Sequence, residues 1–241
     1  MINNKDNLVV LSTQIYDKIL KSHGFSAHFY HFRFYYLWLR RKNSLSLHGY
    51  STKPFIISPI EDVEAIAENK TTTLYLVRHG ETEDNVNQIM QGQTQGRLTE
   101  RGVEQAHEVA ERMRRECIDV FFASDLRRSI DTCRIIAEPH GKPVETTPLL
   151  RERDWGGFTG MFIPDLKDRT WPDDIETIGQ MKERARRFLD LLRTEYAGKK
   201  VLAVGHGIMN KAIQSVFFNK PMNEVERMMN GEVRILMLDE G

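Results

Sequence analysis

The chain has 241 residues, 40% of them apolar, and its 34 Lys/Arg balance 34 Asp/Glu to a formal net charge of zero. That composition can bury a sizeable core, which excludes wholesale disorder, and no global field points to nucleic acid or an anionic membrane. With Cys117 and Cys133 as the only cysteines and no C-x-x-C pair, a disulfide scaffold or a structural zinc site is excluded as well.

The neutral total hides an asymmetry. Residues 1–70 carry nine Lys/Arg against six Asp/Glu and hold 11 of the 22 aromatics, so the rest of the chain is mildly acidic. Residues 14–21 and 61–68 read as short helices without strong apolar faces. The aromatic and basic run 29–41 is interrupted by His31 and Arg33 and is too short to span a bilayer. Three readings of this extension stay open: a packed or partly ordered appendage, a membrane-surface element, and a segment outside the mature functional protein. Residues 8–11 are the only apolar run near the start, and nothing there reads as a secretory signal. A cytoplasmic protein is the expectation.

From residue 71 onward, strand-like and helix-like segments alternate. Residues 74–77 form a short apolar run ending at Arg78-His79-Gly80, which reads as a buried strand feeding a loop. Thr99 is a plausible N-cap for a helix with Val103, Ala106, Val109, Ala110 and Met113 on one face. Residues 118–122 read as the next strand, and Ser124 or Asp125 can cap the helix that carries Leu126, Ile130, Cys133 and Ala137. Pro139 and Gly141 end that helix. The Pro/Gly-rich stretch 142–175 reads as loop. Ile178, Met181, Ala185, Phe188, Leu189 and Leu192 then mark a long amphipathic helix. A strand over 201–204 stops at Gly205-His206-Gly207, a helix follows over 208–217, and residues 233–238 make a final strand. This alternation predicts an α/β fold with a largely parallel sheet covered by helices on both faces, and ligands in such folds sit at the carboxyl ends of the strands.

Two of those strand exits carry a histidine beside glycine. An imidazole next to a guanidinium suits phosphoryl chemistry, because Arg offers paired donors to phosphate oxygens and neutral His offers a nitrogen nucleophile. Three further segments add weight. Residues 124–132 (SDLRRSIDT) put arginines in the first turn of a helix, residues 150–156 (LRERDWG) place a carboxylate within a basic loop, and residues 204–207 (VGHG) supply the second histidine. Arg127 reads as a solvated helix residue, His107 and His140 as surface residues, and Cys133 as a small core hydrophobe. Glu81 and Asp154 are rival acids.

With residues 74–85 (LYLVRHGETEDN), 97–102 (RLTERG), 124–132, 150–160 (LRERDWGGFTG) and 201–207 (VLAVGHG) in this order, the chain resembles the histidine phosphatase superfamily, the cofactor-dependent phosphoglycerate mutase-like enzymes. The resemblance covers 71–241 and implies a three-layer α/β/α sandwich with a mostly parallel central sheet. It implies that His79 is the residue phosphorylated, that Arg78, Arg128 and His206 complete the charged pocket, and that Glu152 is the proton donor. Asn85 and Gly207 match further substrate-binding positions. The expected organisation is an extension over 1–70 and a catalytic domain over 71–241.

Charge around the phosphoryl group comes from arginine and histidine, so neither a metal nor another cofactor is expected. Glu152 serves as acid if apolar and anionic surroundings keep its carboxyl protonated. His79 and His206 are 127 positions apart, a short spacing that favours a phosphatase over a mutase. The expected activity is a phosphomonoester hydrolase acting through a phosphohistidine on a small phosphorylated metabolite. A phosphoglycerate mutase and a non-catalytic phosphate-binding module are the alternatives. A small phosphate ester is the expected partner, with no nucleic acid or membrane, and a homodimer is compatible with the sequence. Trp155, Phe158, Phe162 and Trp171 are candidates for an aromatic pocket lining. Gln95-Gly96-Arg97 departs from the common family pattern, so this loop does not specify the substrate.

Overall fold

The computed structural model describes residues 71–239. The helices expected over 14–21 and 61–68 and the aromatic run 29–41 lie outside them. The described chain runs β1 (Thr72–Arg78), α1 (Glu83–Val86), α2 (Glu100–Met113), β2 (Val120–Ala123), α3 (Arg127–Ala137), β3 (Val144–Thr146), α4 (Ile178–Glu195), β4 (Lys200–Gly205), α5 (Gly207–Phe217) and β5 (Val233–Leu238). The strands form one sheet in the order β3-β2-β4-β1-β5, parallel throughout except for β5, which runs antiparallel to β1.

The apolar runs in β1 and β4 arise because both faces of the sheet are covered. Alternate residues of β1 enter different cores. Leu74 and Leu76 pack with α4 (Met181, Phe188, Leu192) and α5 (Met209, Ile213), while Tyr75 and Val77 pack with α2 (Val109, Met113) and α3 (Cys133, Ile136). The expected three-layer α/β/α sandwich is therefore the architecture found. Among the described residues, no helix is long and apolar enough to cross a membrane.

Several local expectations are corrected. The stretch 142–175 contains β3, a three-residue edge strand paired with β2, and three 3-10 turns. The second strand is shifted to Val120–Ala123 because Phe121 and Ala123 supply the buried positions beside Leu202 and Val204. Thr99 does cap α2, accepting from Gly102 N. Neither Ser124 nor Asp125 caps α3, whose N-cap is Leu126 with no side-chain cap bond. Ser124 instead meets His206, and Asp125 is pulled into an ion pair with Arg151. Val103 and Ile178, expected on buried faces, are 37% and 51% exposed. Each lies in the first turn of its helix.

Candidate active site

Parallel pairing of β1 with β4 brings the two histidine-bearing strand ends together. Arg78 is in register with Gly205, and the His79 amide donates to the Gly205 carbonyl at 3.1 Å. The imidazoles of His79 and His206 consequently lie side by side, with ring centroids 5.0 Å apart. The loop after His79 is pinned by two facing glycines. A Cβ on Gly80 would stand 2.3 Å from the Gly102 carbonyl oxygen, and one on Gly102 would stand 2.0 Å from that of Glu81. Only glycine at both positions lets the loop lie this close to the start of α2.

The His79 ring has a defined tautomer. Its Nδ1 lies 2.7 Å from the Gly80 carbonyl, which can only accept, so Nδ1 carries the proton and Nε2 keeps the lone pair. Burial, then the positive charges of Arg128 and Arg78, hold its pKa well below 6.5. The ring is neutral at pH 7, the state a nitrogen nucleophile requires. His206 is likewise driven well below 6.5 by burial, Arg128, His79 and Arg78. Its Nε2 meets the Ser124 hydroxyl at 2.6 Å, which leaves Nδ1 buried without a partner.

Arg78 and Arg128 are almost fully buried, yet neither forms an ion pair with a carboxylate of the described residues. Arg78 donates to the Met228 carbonyl at 2.7 Å, and Arg128 to the carbonyls of Thr94 and Gly92. The Nε of each has no partner. Burial, aided for Arg78 by the neighbouring Arg227, lowers both to about 10, which leaves them charged at neutral pH. Burying a guanidinium without a counter-charge costs on the order of several kcal/mol. Two of them beside His79 describe a site built for an anion.

Asn85 closes a capping box with Thr82, its Oδ1 accepting from the Thr82 amide at 3.2 Å. The same oxygen accepts from Asn230 Nδ2 at 3.2 Å, and Asn230 also donates to the His79 carbonyl at 3.0 Å. With Oδ1 engaged twice, the amide nitrogen of Asn85 remains as a donor.

Glu152 has surroundings other than those expected. Its carboxylate accepts from the amides of Arg153 (2.8 Å), Met209 (3.1 Å) and Ile208 (3.2 Å), so it sits on the N-terminus of α5. Amide donors and guanidiniums, rather than apolar and anionic groups, surround it. Its loop is braced by Arg184 of α4, which donates to the carbonyls of Leu149 and Arg151 while pairing with Glu176.

A cavity of about 220 Å³ opens at these strand ends. Arg78, His79, Asn85, Arg128 and Glu152 line it, together with Arg227. Ile89, Met90, Trp155 and Ile163 supply an apolar part of the wall. His206, fully buried, is not part of the wall. Neither is Gly207, whose missing side chain gives room to Arg227: a Cβ there would lie 2.8 Å from Arg227 Nε. Of the four aromatics expected as lining, only Trp155 reaches the cavity. Phe158 packs with Leu166 and Ile175, while Phe162 and Trp171 are exposed.

The rival acids are elsewhere: Glu81 accepts from the Thr99 hydroxyl, and Asp154 from the Gly156 amide. Arg127 is exposed and pairs with Asp131, and His107 is exposed. His140 is half-buried against Phe121 rather than a surface residue. Burial drives the Cys133 thiol pKa up, which keeps it an inert hydrophobe.

Sequence reasoning missed Ser124, Arg227 and Asn230 as site residues. The last two belong to the strap over 225–232, which is tied to the end of β1 through Met228, Asn230 and the Gly231 amide. The Asn230-Gly231 dipeptide was a turn signal ahead of β5 but carried no chemical signature.

Residues 74–241 match the family model of the histidine phosphatase superfamily, branch 1. Among curated proteins, a "Probable phosphoglycerate mutase GpmB" from Yersinia pestis (strain Pestoides F) is 33% identical over 169 residues, 64% of this chain and 79% of that protein. Among solved structures, a mycobacterial glucosyl-3-phosphoglycerate phosphatase is 26% identical with a TM-score of 0.62, covering 68% of this chain and 89% of that one. The alpha-ribazole phosphatase from Shigella flexneri has the same fold, with a TM-score of 0.61 at 24% identity over 68% of this chain and 89% of its own. By its ordered motifs, its fold and the matched 168-residue span, the chain belongs to the histidine phosphatase superfamily.

Proposed function

We propose that the protein is a metal-independent phosphomonoester hydrolase that works through a phosphohistidine at His79 on a small phosphorylated metabolite. The observation that carries this reading is the pair of buried guanidiniums without carboxylate partners, Arg78 and Arg128, lining one cavity with a neutral His79 whose Nε2 lone pair is free. Among the described residues, no three His, Cys, Asp or Glu side chains converge as metal ligands would.

In the first step, His79 Nε2 attacks phosphorus in line as the ester P–O bond breaks. Arg78, Arg128 and the Asn85 amide nitrogen hold the equatorial oxygens, and positioning with charge supplies most of the catalysis. Glu152 gives its proton to the departing alkoxide. In the second step, Glu152 takes a proton from water, whose oxygen attacks phosphorus as the P–N bond breaks and its electron pair returns to Nε2. Inorganic phosphate leaves and Glu152 is again protonated.

A phosphoglycerate mutase is the second reading, favoured by the likeness to the Yersinia protein. A panel of phosphate esters that includes phosphoglycerates, with and without glycerate bisphosphate, separates the two. Hydrolysis without the bisphosphate is the expected result. Isomerisation that requires the bisphosphate, with slow release of inorganic phosphate, would replace the hydrolase reading with the mutase one.

A further inference from the structure

We propose that Arg227 is a specificity-determining residue that selects phosphate monoesters whose alcohol portion carries a carboxylate. This rests on the hydrolase reading above, which accounts for Arg78, Arg128, Asn85, Glu152 and His79 but leaves Arg227 unused.

Arg227 lines the cavity, is exposed and has no hydrogen-bond or ion-pair partner among the described residues. Its stretch of backbone is anchored to the end of β1. Its neighbour Met228 is buried and accepts from Arg78 through its carbonyl, and its guanidinium lies over the glycine that opens α5. Its charge is felt across the cavity, contributing to the lowered pKa of both Arg78 and His79.

Charge balance gives the class of ligand. The charged groups on the wall are Arg78, Arg128, Arg227 and Glu152. Glu152 is engaged by three amides of the chain, and Arg78 and Arg128 match a dianionic phosphate, so the Arg227 guanidinium is left on the wall without a counter-charge. The Ile89, Met90, Trp155 and Ile163 part of the wall offers no charge to the alcohol portion. A single carboxylate on that portion balances the site, and a guanidinium fork matches carboxylate geometry.

The test compares matched esters that differ by the carboxylate: phosphoglycolate with ethyl phosphate, and phosphoglycerate with glycerol phosphate. kcat/KM is measured for the wild type, Arg227→Ala and Arg227→Lys. Taking the ratio within each pair and then between proteins cancels the difference in leaving-group basicity. Arg227→Ala should lower the carboxylate preference about 10- to 100-fold, the worth of one charge-assisted pair, and Arg227→Lys should recover part of it. Equal loss on both members of a pair would overturn the proposal by placing Arg227 on the transferred phosphoryl group. No change in the ratio would overturn it by removing Arg227 from the substrate. Thermal melting checks that the variants fold.

If the wild type hydrolyses none of the esters, nor a generic aryl phosphate, the hydrolase reading fails and the Arg227 proposal is judged by calorimetric binding of the same pairs. A carboxylate preference in binding that Arg227→Ala removes sustains it, and equal binding of both members refutes it.

Discussion

Arg184→Ala tests how the fold delivers the acid to the site. The Arg184 guanidinium donates to both oxygens of Glu176 at 2.7 Å, and to the carbonyls of Leu149 at 3.0 Å and Arg151 at 2.9 Å. Its side chain is 18% exposed and that of Glu176 11%, so the pair is mostly shielded from water. Truncation leaves the Glu176 carboxylate with the Asp154 amide alone and strands two carbonyls beneath the loop that carries Glu152. Breaking a buried pair costs about 3–5 kcal/mol, and the residual exposure brings the expectation to about 2–4 kcal/mol. The loop should also shift, and a displacement of the order of 1 Å can cost about 100-fold in rate. Urea denaturation reads the first effect, and kcat for a series of esters with increasingly basic leaving groups reads the second. The loss should grow with leaving-group basicity, because it acts through Glu152. Arg184→Lys should keep part of the stability but not the fork that orders the loop. Unchanged stability, or a rate loss independent of the leaving group, would refute the brace.

The buried neutral histidines predict an acid-side loss of stability. Below pH about 6.5 the unfolded chain takes up protons that native His79 and His206 refuse, so stability present at higher pH is lost as pH falls. Two groups give about 2–3 kcal/mol between pH 7.5 and 5.5 by linkage, with His140 adding in the same direction. Urea midpoints that stay level or rise over this range would contradict it. Gly102→Ala should cost about 2–3 kcal/mol and most of the activity, because its Cβ meets the Glu81 carbonyl oxygen 2.0 Å away and the loop holding His79 must move. Near-native denaturation and turnover of that variant would show that the loop can yield. Ser124→Ala removes a buried partner of His206 and should cost about 1–3 kcal/mol, read by the same denaturation.

What could be read in the sequence follows from where each signal originates. β1 and β4 are covered on both faces, so they leave continuous apolar runs, and each ends in a histidine beside glycine. Their pairing in parallel was enough to juxtapose His79 and His206. β3 left no such run, because Val144 is only half-buried and Glu145 and Thr146 are exposed on a sheet edge. Ser124 stands where a cap is expected, but a fully buried imidazole 82 residues away competes for its hydroxyl. Helical spacing located the apolar arcs of α2 and α4, yet it does not report that Val103 and Ile178 lie on turns the core does not cover. Arg227 and Asn230 escaped for a topological reason. Their strap is tied to the end of β1 by contacts spanning 150 and 151 positions, through carbonyls and an amide side chain that form no motif. The surroundings of Glu152 are not local in sequence, because its carboxylate accepts from the amides of α5, a helix 56 residues further on.

The central claim is that phosphoryl transfer passes through His79 Nε2, and trapping the intermediate in Glu152→Gln tests it most directly. An aryl phosphate with a good leaving group needs no acid in the first step, whereas hydrolysis of the phosphoenzyme lacks its base. Rapid quenching in alkali, which preserves phosphohistidine, followed by peptide mass spectrometry should find one phosphoryl group per chain on His79 and none in His79→Ala. Label on another residue, or undiminished turnover by His79→Ala, would contradict the account.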